Sequence, residues 1–218
     1  MRAWNRLRAH LRLEFAQRRL IVPLVTAVLA VLGVLLLTPR FGALAYVAVL
    51  ALLPPLTAGV AASLWVGDPT LELLYVTPTP GWRLFLGRHA TSLIAFCLVA
   101  LLTAVAAEFR FGGALLATRP PWAVVPPILA ATAMAVLLAL WSRQAAVGAG
   151  VTSILWMAQV LTAHALVTYP WGRRLLWFLV AYGASRDALL ANAFTLVSVA
   201  VAMGIGSHLL VRCEERYV

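Results

Sequence analysis

The residues of this chain best suited to a directed contact lie in 67–89, which reads GDPTLELLYVTPTPGWRLFLGRH. Asp68 can accept hydrogen bonds from the free amides of a helix starting at Pro69, and proline suits the first helical position. Leu71, Leu74 and Tyr75 then share one face at i, i+3 and i+4, with Glu72 beside them. Pro78 and Pro80 end that helix, and Gly81 permits a tight turn. Trp82, Arg83 and Arg88 follow where the chain re-enters an apolar run, a setting that favours aromatic rings and guanidinium groups at a lipid–water boundary. A short helix carrying an apolar knob and a carboxylate fits a socket on a soluble protein. An ordinary loop resting on a lipid surface is the plainer reading of the same residues.

Other chemistries are poorly supplied. The chain contains no Lys, so it has no phosphate-binding Gly-x-x-x-x-Gly-Lys-Ser/Thr loop. His-Glu-x-x-His and Gly-x-Ser-x-Gly are absent as well. The four histidines, His10, His89, His164 and His208, show no metal-ligand spacing, and neither metal nor disulfide is expected of Cys97 and Cys213. The carboxylates Glu14, Asp68, Glu72, Glu108, Asp187, Glu214 and Glu215 fall almost entirely at helix ends or in loops. Proton-coupled carriers and intramembrane hydrolases need such groups in the interior.

The elements that must position the 67–89 segment are set by composition. Of 218 residues, 63% are hydrophobic and 11% charged, more apolar surface than a soluble core of this size can hide. Six apolar runs, at 20–38, 43–66, 90–107, 123–141, 145–168 and 192–211, each approach the ~20 residues needed to cross the hydrocarbon core as a helix. The expected fold is therefore all-α and membrane-integral, with one six-span domain over 20–218. Residues 1–19 form an amphipathic interfacial helix in this reading. Trp4, Leu7, Leu11 and Phe15 make its apolar stripe, and Arg8, Arg12, Arg18 and Arg19 flank it. A disordered basic tail is the alternative.

The net charge of +10 comes from 17 arginines. In a soluble protein it would suggest nucleic acid, but here it fits cytoplasmic loops, and no nucleic-acid partner is expected. Six spans place both termini on one side. Eleven arginines fall on that side (2, 6, 8, 12, 18, 19, 83, 88, 143, 212 and 216) against six on the other (40, 110, 119, 173, 174 and 186). The bias puts both termini and 67–89 in the cytoplasm. Within 169–191 the apolar stretch 175–183 is too short for a ~30 Å core at ~1.5 Å per residue, and predicts a re-entrant hairpin on the outer face. A seventh, short span is the alternative.

Few polar residues fall within the spans. Gln159, Thr162 and His164 in the fifth could line a substrate pathway; with Asn192 and His208 in the sixth, they could equally make helix–helix hydrogen bonds. The pairs Pro54-Pro55 and Pro126-Pro127 lie in apolar runs and should each kink or locally unwind a helix.

The Leu71-Glu72-Leu73-Leu74 run, the prolines after it and the basic re-entry at Arg83 and Arg88 resemble the cytoplasmic coupling loop of permease subunits in ABC transporters of the type-2 exporter family. The six-span plan and a re-entrant segment before the last span are similar too. The lead-in Gly67-Asp68-Pro69-Thr70 departs from the longer lead-in of many members. The resemblance implies a membrane subunit that is not itself an enzyme and carries no cofactor. ATP and Mg would be bound by separate cytoplasmic ATPase subunits, docked on Asp68, Leu71, Glu72, Leu74, Tyr75 and Arg83. A second permease, identical or related, would complete a pathway for a hydrophobic or amphipathic substrate, in a bacterial cytoplasmic membrane. A non-transporting membrane scaffold and an ATP-independent secondary carrier are the alternatives.

Overall fold

The structure, a computed structural model, describes residues 21–37, 39–63, 66 and 81–215. Among these the regular structure is helical, with no strand. Helix α1 is Ile21–Leu36 and α2 is Pro39–Ser63. Proline opens α2, a position it suits because its missing N–H has no helical acceptor there. Helix α3, Gly81–Phe111, ends at Gly112, whose φ of 70° glycine adopts without strain. A short α4, Gly113–Thr118, and a 3-10 turn, Pro121–Val124, lead into α5, Val125–Ser142. Helix α6 is Ala145–Leu161, and Thr162 separates it from α7, Ala163–Thr168. Helix α8, Pro170–Leu175, is followed by a 3-10 turn, Leu179–Tyr182, and by α9, Arg186–Glu215.

Four of these helices are long and apolar enough to cross a membrane: Phe41–Ser63, Leu93–Phe111, Pro121–Ser142 and Arg186–Leu210. Two apolar helices are shorter, Val22–Leu36 and Ala145–Leu161. All six match the apolar runs of the sequence, with shifted bounds. The third reaches back through 81–89, so those residues open α3 and do not form a loop. Gly81 accordingly begins a helix where the sequence suggested a tight turn.

Helix α5 is the centre, packed against α9, α2 and α6, while α1 and α3 pair with each other and with α2. Burial separates the centre from the rim: 61% of the α5 span is buried against 17% of the α9 span. Helix α9 turns Leu189, Asn192, Leu196 and Ala200 inward at helical spacing and leaves Leu190, Phe194, Val201, Ile205 and Leu209 exposed. A helix apolar all round that buries so little needs a non-aqueous surrounding. Small residues let the helices approach. A Cβ on Gly148 of α6 would stand 2.2 Å from the Ala135 carbonyl oxygen and 2.9 Å from the Ala139 Cβ of α5, so the two backbones are in contact.

The two proline pairs have different fates. Pro126 and Pro127 lie in the first turn of α5, where backbone N–H groups have no helical acceptor anyway, and not in a helix interior. Pro54 and Pro55 lie inside α2, which continues unbroken through them. Pro55 cannot donate to the carbonyl of Ala51, and the Trp156 indole of α6 donates to that carbonyl instead, at 3.0 Å. Thr57 Oγ1 donates to Pro54 O at 2.8 Å.

Candidate functional site

At the end of the bundle that carries the C-terminus of α1 and the α4–α5 connection, the chain between α7 and α9 packs against the bundle as a short hairpin of α8 and the 3-10 turn. Leu176, Trp177, Phe178, Leu179 and Val180 are buried, and 175–183 is not part of a continuous helix of crossing length. Gly183 closes the 3-10 turn with φ 62°, in the left-handed region. Residues 176–178 lie in neither α8 nor the turn, so their buried amides and carbonyls need partners from elsewhere.

Side chains from three directions supply them. Asn192 of α9 donates through Nδ2 to the carbonyls of Arg173 at 2.9 Å, Arg174 at 3.0 Å and Leu176 at 3.0 Å. These are the unpaired carbonyls at the end of α8, and three acceptors around one nitrogen fix which way the amide faces. Gln159 of α6 accepts from the Trp177 amide at 3.0 Å through Oε1 and donates through Nε2 to Leu175 O at 3.4 Å. Arg119, before α5, donates through Nε to Ala181 O at 3.3 Å, and its own carbonyl accepts from the buried Tyr46 hydroxyl of α2 at 2.8 Å. Trp156 packs edge-on against Phe178, with ring centroids 6.5 Å apart. The α7–α8 corner is equally close, since a Cβ on Gly172 would meet Leu166 O at 2.4 Å, and Arg173 Nε donates to Val167 O.

The chemistry of this arrangement is positional. Neutral amides and one guanidinium hold a backbone segment, and no nucleophile–base pair is formed by these contacts. Among the described residues no group of three His, Cys, Asp or Glu could hold a metal ion.

A second feature lies between α3, α5 and α9. A cleft of about 220 Å³ is lined by Leu93, Leu129, Ala133, Val136, Val197, Ala200, Val201 and Gly204, with Thr132 and Ser207 as its hydroxyl residues. Ser207 Oγ donates to Met203 O at 3.0 Å. Thr132 Oγ1 is buried with no hydrogen-bond partner.

The residues singled out from sequence are not gathered at one place. Asp68, Leu71, Glu72, Leu74 and Tyr75 lie outside the described residues, as does the 1–19 segment. Arg83 falls in the opening turns of α3. Gln159 is buried and spent on the hairpin, whereas Thr162 and His164 are exposed, and Thr162 Oγ1 donates to Ala158 O at 2.7 Å. Sequence reasoning placed Asn192 among the helix–helix bonding residues without identifying its target. It gave Trp156 no role, although a proline at position 55 already marks Ala51 as a carbonyl in need of a donor.

The fold and these contacts define the class of the chain: an all-α protein whose longest helices have the length and composition of membrane spans. Compared with known proteins, the chain matches no family model, no curated protein and no solved structure.

Proposed function

We propose that this chain is the permease subunit of an ATP-driven ABC exporter, with six spans and both termini in the cytoplasm of a bacterial cell. Helices α1, α2, α3, α5, α6 and α9 are the spans, α6 being completed by α7 beyond Thr162. Two permease subunits form the pathway for a hydrophobic or amphipathic substrate. Separate ATPase subunits dock on Asp68, Leu71, Glu72, Leu74, Tyr75 and Arg83.

The observation that carries this reading is the anchored hairpin between the fifth and sixth apolar helices. Backbone that leaves regular helix at membrane depth is tolerated only where protein satisfies it, and the bonds from Gln159, Asn192 and Arg119 support reading 175–183 as such a segment. By the up-and-down order of the helices, the hairpin lies at the end opposite Ser63, where α2 ends, and Gly81, where α3 begins. In this reading the Leu71–Leu74 run meets its partner on the other side of the membrane. The turn at Arg143 and Gln144 is too brief to reach a soluble protein.

Charge reversal at the dock tests the reading. In the isolated transporter complex, Glu72→Lys should leave membrane insertion and basal ATP hydrolysis unchanged and abolish substrate-stimulated hydrolysis. A rim contact would lose about 1 kcal/mol and a buried one several. Stimulated hydrolysis that survives both Glu72→Lys and Leu74→Arg would remove the assignment. So would labelling of Thr79→Cys by a membrane-impermeant thiol reagent added outside intact cells.

A further inference from the structure

The cleft between α3, α5 and α9 has three properties that belong together. The first is an unused hydroxyl. Thr103, Thr152 and Thr195 each donate to the carbonyl four residues back, at 2.7, 2.7 and 2.9 Å. Thr132, also in a helix interior and 2% exposed, makes no such bond. Its partner in the wall, Ser207, is already committed to Met203 O. The second is room. A Cβ on Gly204 would meet nothing within 4 Å, and the cleft volume of about 220 Å³ exceeds the roughly 150 Å³ that holds a benzene ring in a dry cavity. The third is depth. Thr132 stands midway along the Pro121–Ser142 span, roughly 15 Å from either end at ~1.5 Å per residue.

Depth decides the kind of occupant. Phospholipid ester carbonyls sit at the edge of the hydrocarbon core, about 15 Å from its centre, so a phospholipid can offer this cleft only a chain. We propose that the cleft binds a membrane-dissolved molecule that carries a carbonyl to mid-membrane depth, with Thr132 as the hydrogen-bond donor. A long-chain ketone or a ring bearing a carbonyl has this chemistry. The rest of the molecule leaves past Val197 and Val201, which are exposed. The site lies within one subunit and does not depend on the exporter reading.

The full chain in lipid nanodiscs would be photolabelled with a twelve-carbon ketone bearing a diazirine, and separately with the diazirine alkane that lacks the carbonyl. The ketone should label peptides covering 129–136 and 197–207 more strongly than the alkane does. Thr132→Val, which keeps the shape, should lower ketone labelling about fivefold, the loss of one hydrogen bond, and leave alkane labelling unchanged. Thr132→Ser should retain ketone labelling, and Gly204→Leu, which fills the cleft, should remove both. Equal labelling by ketone and alkane in the unmodified chain overturns the proposal. So does ketone labelling that survives Thr132→Val or Gly204→Leu, or that falls as far with Ser as with Val.

Discussion

Asn192 and Thr132 are buried to the same degree, each 2% exposed, yet Asn192 meets three carbonyls and Thr132 meets nothing. The difference lies in what each faces. Asn192 looks onto a hairpin whose backbone has left regular helix and needs donors. Thr132 sits among complete helices whose carbonyls are already paired, at the wall of an open cleft. Burial alone therefore says little about a polar residue in this bundle. An amide that completes irregular backbone belongs to the architecture, whereas a hydroxyl left over in a regular helix is available to something else.

Three experiments would break or sharpen that contrast. The largest effect is expected from Asn192→Leu, which strands the carbonyls of Arg173, Arg174 and Leu176. The loss should be on the order of 3 kcal/mol in reversible unfolding in micelles, since each buried group left unpaired costs about 1–3 kcal/mol. Amide exchange at 176–180 should accelerate with it, and unchanged exchange there would mean that the hairpin is held by packing alone.

A smaller loss, about 1 kcal/mol, is expected of Trp156→Phe, which keeps the ring and deletes the donor to Ala51. Pro55→Ala restores a backbone N–H four residues after Ala51. In the Pro55→Ala background the tryptophan substitution should therefore cost much less. A double-mutant cycle by thermal unfolding measures the coupling, and strict additivity would sever the link between the proline and the indole.

The smallest effect, and of opposite sign, is expected of Thr132→Val. Replacing an unpaired buried hydroxyl by a methyl of the same shape should leave stability unchanged or raise it by up to about 1 kcal/mol. A clear loss of stability would show that the hydroxyl has a partner and would erase the contrast with Asn192.

The helices were legible from sequence because hydrocarbon solvent makes composition decisive. A helix covers most of each of the six apolar runs. Their ends were less legible. The run at 90–107 is the apolar part of a helix that continues through Arg83, Arg88 and Arg110, because a helix leaving the membrane has no reason to stop where its composition changes. The run at 145–168 is divided at Thr162, whose φ of −101° and ψ of 7° interrupt the helix, and no proline or glycine announces the break. The shortness of 175–183 was enough to exclude a crossing helix there. Its anchoring was not legible, since Asn192 and Gln159 lie 16 to 19 residues from their targets and no local pattern pairs them. The free hydroxyl of Thr132 is a property of packing, because in sequence it looks like Thr103.

The bond between Trp156 and the Ala51 carbonyl joins positions 105 residues apart. A ribosome adding about 5–20 residues per second takes roughly 5–20 seconds to cover that distance. Throughout the interval α2 exists with a carbonyl that its own helix cannot pair, and the hydrocarbon around a newly inserted helix offers it no donor. Only when α6 emerges does a donor of the right reach arrive. The proline thus acts as a reserved seat during biogenesis. It leaves α2 incomplete until α6 docks, and gives that late arrival a specific address on a mostly apolar surface.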